Sequence, residues 1–258
     1  MRAGGAGVAA TTLGVLTLDP GNAAAAVRWD QQADVVVVGS GASGAVAALA
    51  AHERGSRVLM LEKSPVFGGT SAKSAGMFWI ANNFHMREKG LADPKPQFIA
   101  YCARYAYPHL YNPKSPTLGL SRETYDLIAA YYEEGSVMVD AMRRMGALRA
   151  GRFHILPENE ALDLPDYFEH GEENQAARGR GLGARKADGS LGFGSELMGQ
   201  LKAKLDAFGI PVLTSHRVVK VVMNKGGEVV GVIAENDEWP GRRARASGRG
   251  LRHGWLYI

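Results

Sequence analysis

The run Asp34-Val35-Val36-Val37-Val38 leads straight into Gly39-Ser40-Gly41-Ala42-Ser43-Gly44, and few folds accept that succession. A short, uncharged, β-branched run suits a strand buried on both faces of a parallel sheet. The glycine loop then opens a helix. Ser43–Arg54 carries Ala, Leu and Val along one face, and Gly55 stands where a helix-ending glycine belongs. Arg57–Glu62 is a second apolar strand. Together these residues make a β-α-β unit of the length a parallel crossover requires, which sets the fold class as α/β and Rossmann-like.

A lone G-x-G-x-x-G is a weak signal, but its setting here gives each residue a task. Gly39 permits the tight turn, and Gly41 lets the backbone approach a pyrophosphate. Gly44 allows close helix–strand packing, while the helix start presents N–H groups to phosphate. Glu62 ends the second strand 18 residues beyond Gly44, where a carboxylate accepts hydrogen bonds from ribose hydroxyls. The competing reading is a purely structural turn with a surface glutamate. The full constellation favours a dinucleotide over it.

The segment after Glu62 bears on which dinucleotide. Gly68-Gly69-Thr70-Ser71-Ala72-Lys73-Ser74-Ala75-Gly76 is a second loop rich in small residues. A nicotinamide enzyme has no need of such a loop directly after the ribose carboxylate. An extended flavin dinucleotide does, because small residues let backbone N–H groups and hydroxyls reach it. An NAD-dependent dehydrogenase remains the less favoured alternative.

Val-Val-Val-Val-Gly-Ser-Gly-Ala-Ser-Gly, then Leu-Glu-Lys, then Gly-Gly-Thr-Ser-Ala-Lys-Ser-Ala-Gly resembles a known family. It is the FAD-dependent oxidoreductases that include fumarate reductase flavoproteins and 3-ketosteroid Δ1-dehydrogenases. The resemblance is specific over residues 33–83 and diffuse to residue 236, and Met77-Phe78-Trp79-Ile80 is closer to the ketosteroid branch. It implies FAD as cofactor and a small-molecule substrate, steroid-like or dicarboxylate-like. It also implies that Gly39, Gly41, Ala42, Ser43 and Gly44 meet the pyrophosphate, and Glu62 with Lys63 the adenosine end. Gly68, Gly69, Thr70, Ser71, Ser74, Ala75 and Gly76 would approach the ribityl chain and flavin. Val218, on a returning strand, would touch adenine through its backbone. The reaction implied is hydride transfer between flavin N5 and a carbon near a carbonyl or carboxylate. No catalytic acid or base is assigned.

The order of elements fits the sheet-plus-cap architecture of that family, a Rossmann-like FAD-binding domain with an inserted, mainly helical cap. Residues 29–90 form the first part of the FAD-binding domain, 91–192 the inserted region, and 193–238 the return. Within the insertion, Asp93-Pro94 reads as N-cap and first residue of a helix reaching Tyr105. Ser121–Met145 reads as two helices meeting near Gly135, and residues 151–192 as irregular. Ser195–Phe208 is an amphipathic helix. Ile210–Thr214 starts the return, and Val218–Asn224 and Glu228–Glu235 form a hairpin around Lys225-Gly226-Gly227.

Several functions are disfavoured. The apolar fraction of 46% is too high for a disordered chain, and one cysteine rules out an internal disulfide framework or multi-cysteine metal site. No uncharged apolar run reaches the about 20 residues that span a bilayer. The net charge of +4 comes from five arginines between Trp239 and Ile258; the rest holds 25 Lys/Arg against 26 Asp/Glu, so nucleic acid is not expected as a partner. Seven tyrosines of the insertion (Tyr101, Tyr105, Tyr107, Tyr111, Tyr125, Tyr131 and Tyr132) could line a substrate pocket, though helix packing explains each more simply. His85, His109, His154 and His170 have no metal-ligand spacing, and Cys102 reads as a buried thiol.

Both ends depart from the family pattern. Residues 1–28 resemble the later part of a twin-arginine export leader without its arginine pair, so the expected location is cytoplasmic or exported according to whether they act as a signal. They are expected to lie outside the fold. After residue 235 the family continues with a strand and an Ala-Thr-Gly-Gly turn that is missing from residues 239–258. Back-translated with GC-rich codons and read one nucleotide later, Arg249–Ile258 permits Val-Val-Phe-Ala-Thr-Gly-Gly-Phe-Thr. The expectation is an out-of-frame tail on a C-terminally incomplete domain, with a non-catalytic or misfolded remnant as the alternative to an enzyme.

Overall fold

The computed structural model describes residues 29–153 and 179–236, with the backbone of three short strands at 14–17, 243–246 and 256–257. It comprises two compact units, Met1–Gly69 with Leu205–Ile258, and Thr70–Lys204.

The first unit is built on the β-α-β element. Strand β3 (Val35–Val38) pairs in parallel with β4 (Val58–Leu61), and β4 in turn with β8 (Val212–Leu213). All four β4 residues are buried, as a central parallel strand requires. Helix α1 (Ala42–Glu53) lies against β3 and β4 through Ala45, Ala48 and Leu49. It ends at Gly55, whose φ of +84° suits glycine and whose N–H bonds back to His52 O. At the strand entry, Asp34 takes Arg57 on both carboxylate oxygens and accepts the Arg57 backbone N–H at 2.8 Å, fixing the β3–β4 register.

The hairpin around Lys225-Gly226-Gly227 is present as β9 (Arg217–Met223) and β10 (Val229–Glu235). It sits in a five-stranded sheet of order β1-β9-β10-β11-β2, where β1 is Gly14–Thr17, β11 is Arg243–Ala246 and β2 is Gln31–Ala33. Ala33, Val36, Leu59, Leu61, Val232 and Ala234 form one core cluster, so the two sheets of this unit share an interior.

One expectation, about the start of the chain, is corrected by the structure. Residues 14–17 are not outside the fold: as β1 (Gly14–Thr17) they pair in parallel with β9. In the tail, β11 (Arg243–Ala246) bridges β10 and β2, and β12 (Leu256–Tyr257) pairs with Val36 and Val37 of β3. The cause is the same in each case, since the open edge of a sheet accepts any extended backbone. The rest of the leader and tail lies outside the described residues, as do residues 154–178.

In the second unit, α4 (Lys95–Ala106) and α5 (Arg122–Arg144) pack together. Helix α5 is continuous, not two helices meeting at Gly135. A Cβ at Gly135 would stand 3.5 and 3.6 Å from Ile80 methyls, ordinary contact distances, and the helix runs through this position unbroken. Helix α4 starts one residue later than expected, with Pro94 as its N-cap. The Asp93 carboxylate is instead taken by Arg180 and by the Asn82 N–H.

The stretch 151–192 is not wholly irregular. Strands β6 (Ala150–Arg152) and β7 (Gly181–Ala184) join β5 (Met77–Trp79) in an antiparallel sheet of order β5-β7-β6. Short strands rich in glycine carry no alternating pattern, and their partners lie far away in sequence. Asn83 helps join these parts. It is fully buried, caps α3 (Phe84–Glu88) through Oδ1, and donates from Nδ2 to Ile80 O and Gly179 O. The expected helix near 195–208 is α6 (Gly194–Ala207).

Candidate functional site

The glycine loop between β3 and α1 has the geometry its sequence implied. Gly39 sits at φ +94°, where side chains are strained, and its N–H bonds Leu61 O at 2.8 Å. A Cβ on Gly44 would lie 2.2 Å from Gly39 O and 3.3 Å from Val37 Cγ1, so the first helical turn seats directly on the loop backbone. Gly41 is the N-cap of α1 and supplies no side-chain cap, and the first turn holds no acid. The amides of Ser43 and Gly44 precede the first bond of the helix, from Ala45 N–H to Gly41 O. An anion is favoured at this helix start by both dipole and donors.

Glu62 lies at the end of β4 and is 5% exposed. Its Oε2 accepts from Ser40 N at 2.8 Å and Ser40 Oγ at 2.6 Å, and its Oε1 accepts from Ser64 N at 2.8 Å. Burial pushes its pKa up, but hydrogen bonds from Ser40 Oγ and the Ser64 and Ser40 amides, with the nearby Lys63 charge, more than offset this and hold it below the ordinary glutamate value. A carboxylate has about four lone-pair positions, so three donors leave room on Oε1 for a ribose hydroxyl. Gly68 N–H donates to Ser40 Oγ at 3.0 Å. One serine thus ties the glycine loop, the β4 carboxylate and the start of the second small-residue loop together.

The backbone around Glu62 is equally fixed. Glu62 N–H bonds Leu213 O, Ser215 N–H bonds Ser64 O, and His216 N–H bonds Glu62 O. His216 is buried, with Nδ1 2.6 Å from Thr214 O; a carbonyl only accepts, so Nδ1 is the donor. Val218 pairs with Ala234 and packs on the shared core. Lys63 is exposed. Gly69, at φ +52°, would bring a Cβ to 3.9 Å from Gly41 Cα.

Thr70, Ser71, Ser74, Ala75 and Gly76 belong to the second unit. Part of this segment is not an open loop but a short helix, α2 (Gly69–Lys73), because local bonds close a helical turn there. Ser74 Oγ donates to Ser71 O and accepts from Gly76 N–H, and Ser74 O accepts from Gly194 N–H. Gly76, at φ +69°, would drive a Cβ to 2.6 Å from Phe193 C and Gly194 N. These two residues thus join the segment to the start of α6.

Ser40 and Ser64 were missed by motif reasoning. Nothing local marks them, since the positions between the glycines tolerate many side chains. The available signal was a small hydroxyl in a loop that must pack beside a buried carboxylate. The tyrosines resolve differently: Tyr131 donates its hydroxyl to Trp79 O and Tyr132 to Asp93 O, so both serve helix packing. His154 and His170 lie outside the described residues. Among the described residues no group of three or more His, Cys, Asp or Glu is placed to hold a metal, and no helix is long and apolar enough to cross a membrane.

A helix start without a side-chain cap, a glycine held at positive φ and a buried carboxylate with acceptor capacity beyond its donors among the described residues fit the pyrophosphate and adenosine of a dinucleotide. The family described as FAD binding domain matches residues 34–252. The chain belongs to this family of FAD-dependent oxidoreductases. The flavoprotein is similar to 4-oxocyclohexanecarboxylate 2-dehydrogenase of Sinomonas cyclohexanicum, with 34% identity over 68% of this chain and 26% of that protein. It is also similar to 3-oxosteroid 1-dehydrogenase of Comamonas testosteroni, with 32% identity over 55% of this chain and 21% of that protein. Its fold matches 3-ketosteroid Δ1-dehydrogenase from Sterolibacterium denitrificans, solved with 1,4-androstadiene-3,17-dione. That match has a TM-score of 0.64 at 21% identity, over 84% of this chain and 46% of that one. The flavoprotein therefore matches well under two thirds of the length of each. FAD is the cofactor of the family, and nothing in the assignment supports the nicotinamide alternative.

Proposed function

We propose that this flavoprotein supplies the FAD-binding part of an oxidoreductase that removes hydrogen beside the carbonyl of a cyclic ketone, with a steroid-like substrate. The buried, ionised Glu62, held by Ser40 and Ser64 beside the uncapped start of α1, is the observation that carries the cofactor end of this reading. The names of the two relatives, both oxo-ring dehydrogenases, support the substrate class. When bound, FAD supplies a hydride acceptor at N5.

The residues of the chain then bind and orient. The loop residues Gly39, Gly41, Ala42, Ser43 and Gly44 meet the pyrophosphate, Glu62 takes the ribose with Lys63 nearby, and the Val218 backbone meets adenine. Gly68, Gly69, Thr70, Ser71, Ser74, Ala75 and Gly76 approach the ribityl chain and flavin. In this reading residues 29–90 and 193–238 make the FAD-binding domain, and residues 91–192 the cap.

The test has two stages. The purified chain is mixed with FAD and its visible flavin band recorded after removal of free cofactor; a retained, shifted band is expected, and a folded chain that ignores FAD overturns the site. The loaded protein is then given a 3-oxosteroid without oxygen. Bleaching of the band supports the cyclic-ketone reading, whereas a reduced protein re-oxidised by fumarate but never bleached by the steroid points to a dicarboxylate instead.

A further inference from the structure

The geometry points to Ser40 as the residue that positions Glu62 for the adenosine ribose of FAD, an inference that rests on the ribose role proposed for Glu62. Ser40 is fully buried, and its hydroxyl has a single proton. Gly68 N–H already donates to Ser40 Oγ at 3.0 Å, so that proton goes to Glu62 Oε2 at 2.6 Å. The direction of the chain is thereby set, from the Gly68 amide through the Ser40 hydroxyl to the carboxylate.

Ser40 N–H also donates to Oε2, so one residue supplies both donors to that oxygen. Among the described residues, Oε1 accepts from the Ser64 amide alone. The carboxylate is clamped on one side and left with acceptor capacity on the other, as a ligand for ribose hydroxyls must be. Alanine at position 40 would remove one donor from Oε2 and strand the Gly68 amide. Among the described residues the charged and titratable neighbours are Lys63, whose charge favours the ionised carboxylate, and His216, whose backbone N–H bonds Glu62 O. With the Ser40 hydroxyl gone, burial is opposed by fewer donors, and Glu62 takes up a proton at a higher pH than before.

The experiment measures FAD affinity of the full 258-residue chain, by quenching of flavin fluorescence, from about pH 8 down to about pH 5. The parent is compared with Ser40→Ala, Ser40→Cys, Glu62→Gln and the Ser40→Ala/Glu62→Gln pair. Ser40→Ala is expected to bind FAD about tenfold more weakly at neutral pH, with the deficit widening toward acid. Glu62→Gln weakens binding by itself, and adding Ser40→Ala to it costs little more, because the serine acts through the carboxylate. If Ser40→Ala loses its helical circular dichroism, Ser40→Cys, which is somewhat larger and a weaker donor, carries the comparison. Parent-like affinity and pH profile in the serine variants that fold overturn the inference, and so does a Ser40→Ala deficit that persists in full in the Glu62→Gln chain. A Glu62→Gln chain that binds FAD as tightly as the parent is a different failure, because it removes the ribose role itself.

Discussion

A Cβ built on Gly44 would lie 2.2 Å from the carbonyl oxygen of Gly39, across the turn that joins β3 to α1. The neighbour is backbone held by β3, so it cannot swing aside as a side-chain tip could. Gly44→Ala is therefore expected to destabilise the fold by about 1–3 kcal/mol, despite the better helix propensity of alanine. It should also weaken FAD binding, because the loop must shift to accept the methyl. Urea denaturation and a flavin titration check both; parent-like values in each would refute the packing argument.

Gly135 is the opposite case. It lies mid-helix in α5, and a Cβ there meets only Ile80 methyls at 3.5 and 3.6 Å, ordinary contact distances. Gly135→Ala should leave the structure intact and raise stability by up to about 1 kcal/mol, the propensity difference between the two residues. Measured destabilisation would mean that Ile80 has no room to accept the methyl.

Arg180 and Asp93 form a pair with side-chain exposures of 2% and 0%, bonded at 2.6 and 3.0 Å. The guanidinium also lies 5.0 to 5.6 Å from the rings of Trp79, Phe98 and Tyr101. Removing one partner leaves a buried charge uncompensated. Arg180→Met or Asp93→Asn should each cost about 3–5 kcal/mol, and the double variant should cost clearly less than the two losses added together. Additive losses in denaturant melts would show that the two side chains act independently.

Partial burial pushes the half-buried Cys102 thiol up to about 11 from an ordinary value near 9; the Arg180 charge acts against this and the Asp93 charge with it. The folded state therefore holds the proton at pH values where the unfolded state releases it. Stability from this group is full below about pH 9 and falls as pH rises toward about 11. Cys102→Ala should flatten that part of the stability profile relative to the parent. A disulfide reagent near pH 8 should label Cys102 slowly in the folded chain and rapidly in urea; equal rates would contradict the burial.

The features legible in the sequence are local ones. Four β-branched residues, a glycine loop, an apolar helix face and a carboxylate after the second strand identify the β-α-β unit, because each is fixed by backbone sterics and by short-range periodicity. The same holds for the body of α4, for α6 and for the β9–β10 hairpin, whose apolar stripes and turn residues lie within a few positions of one another. Gly39 and Gly44 were readable for what they are, since their tasks are set by the turn that contains them.

What the tertiary structure alone decided are pairings between distant residues. Ser40 meets Glu62 across 22 positions, and Arg180 meets Asp93 across 87. Asp93 looked like a helix cap until a guanidinium from β7's entry took its carboxylate. The β5-β7-β6 sheet is assembled from strands of three or four residues with no alternating pattern, so nothing in any one of them announces the others. Sequence determines such contacts only through the whole fold: a hydroxyl or carboxylate has no preferred partner until packing excludes water and leaves a single donor within reach.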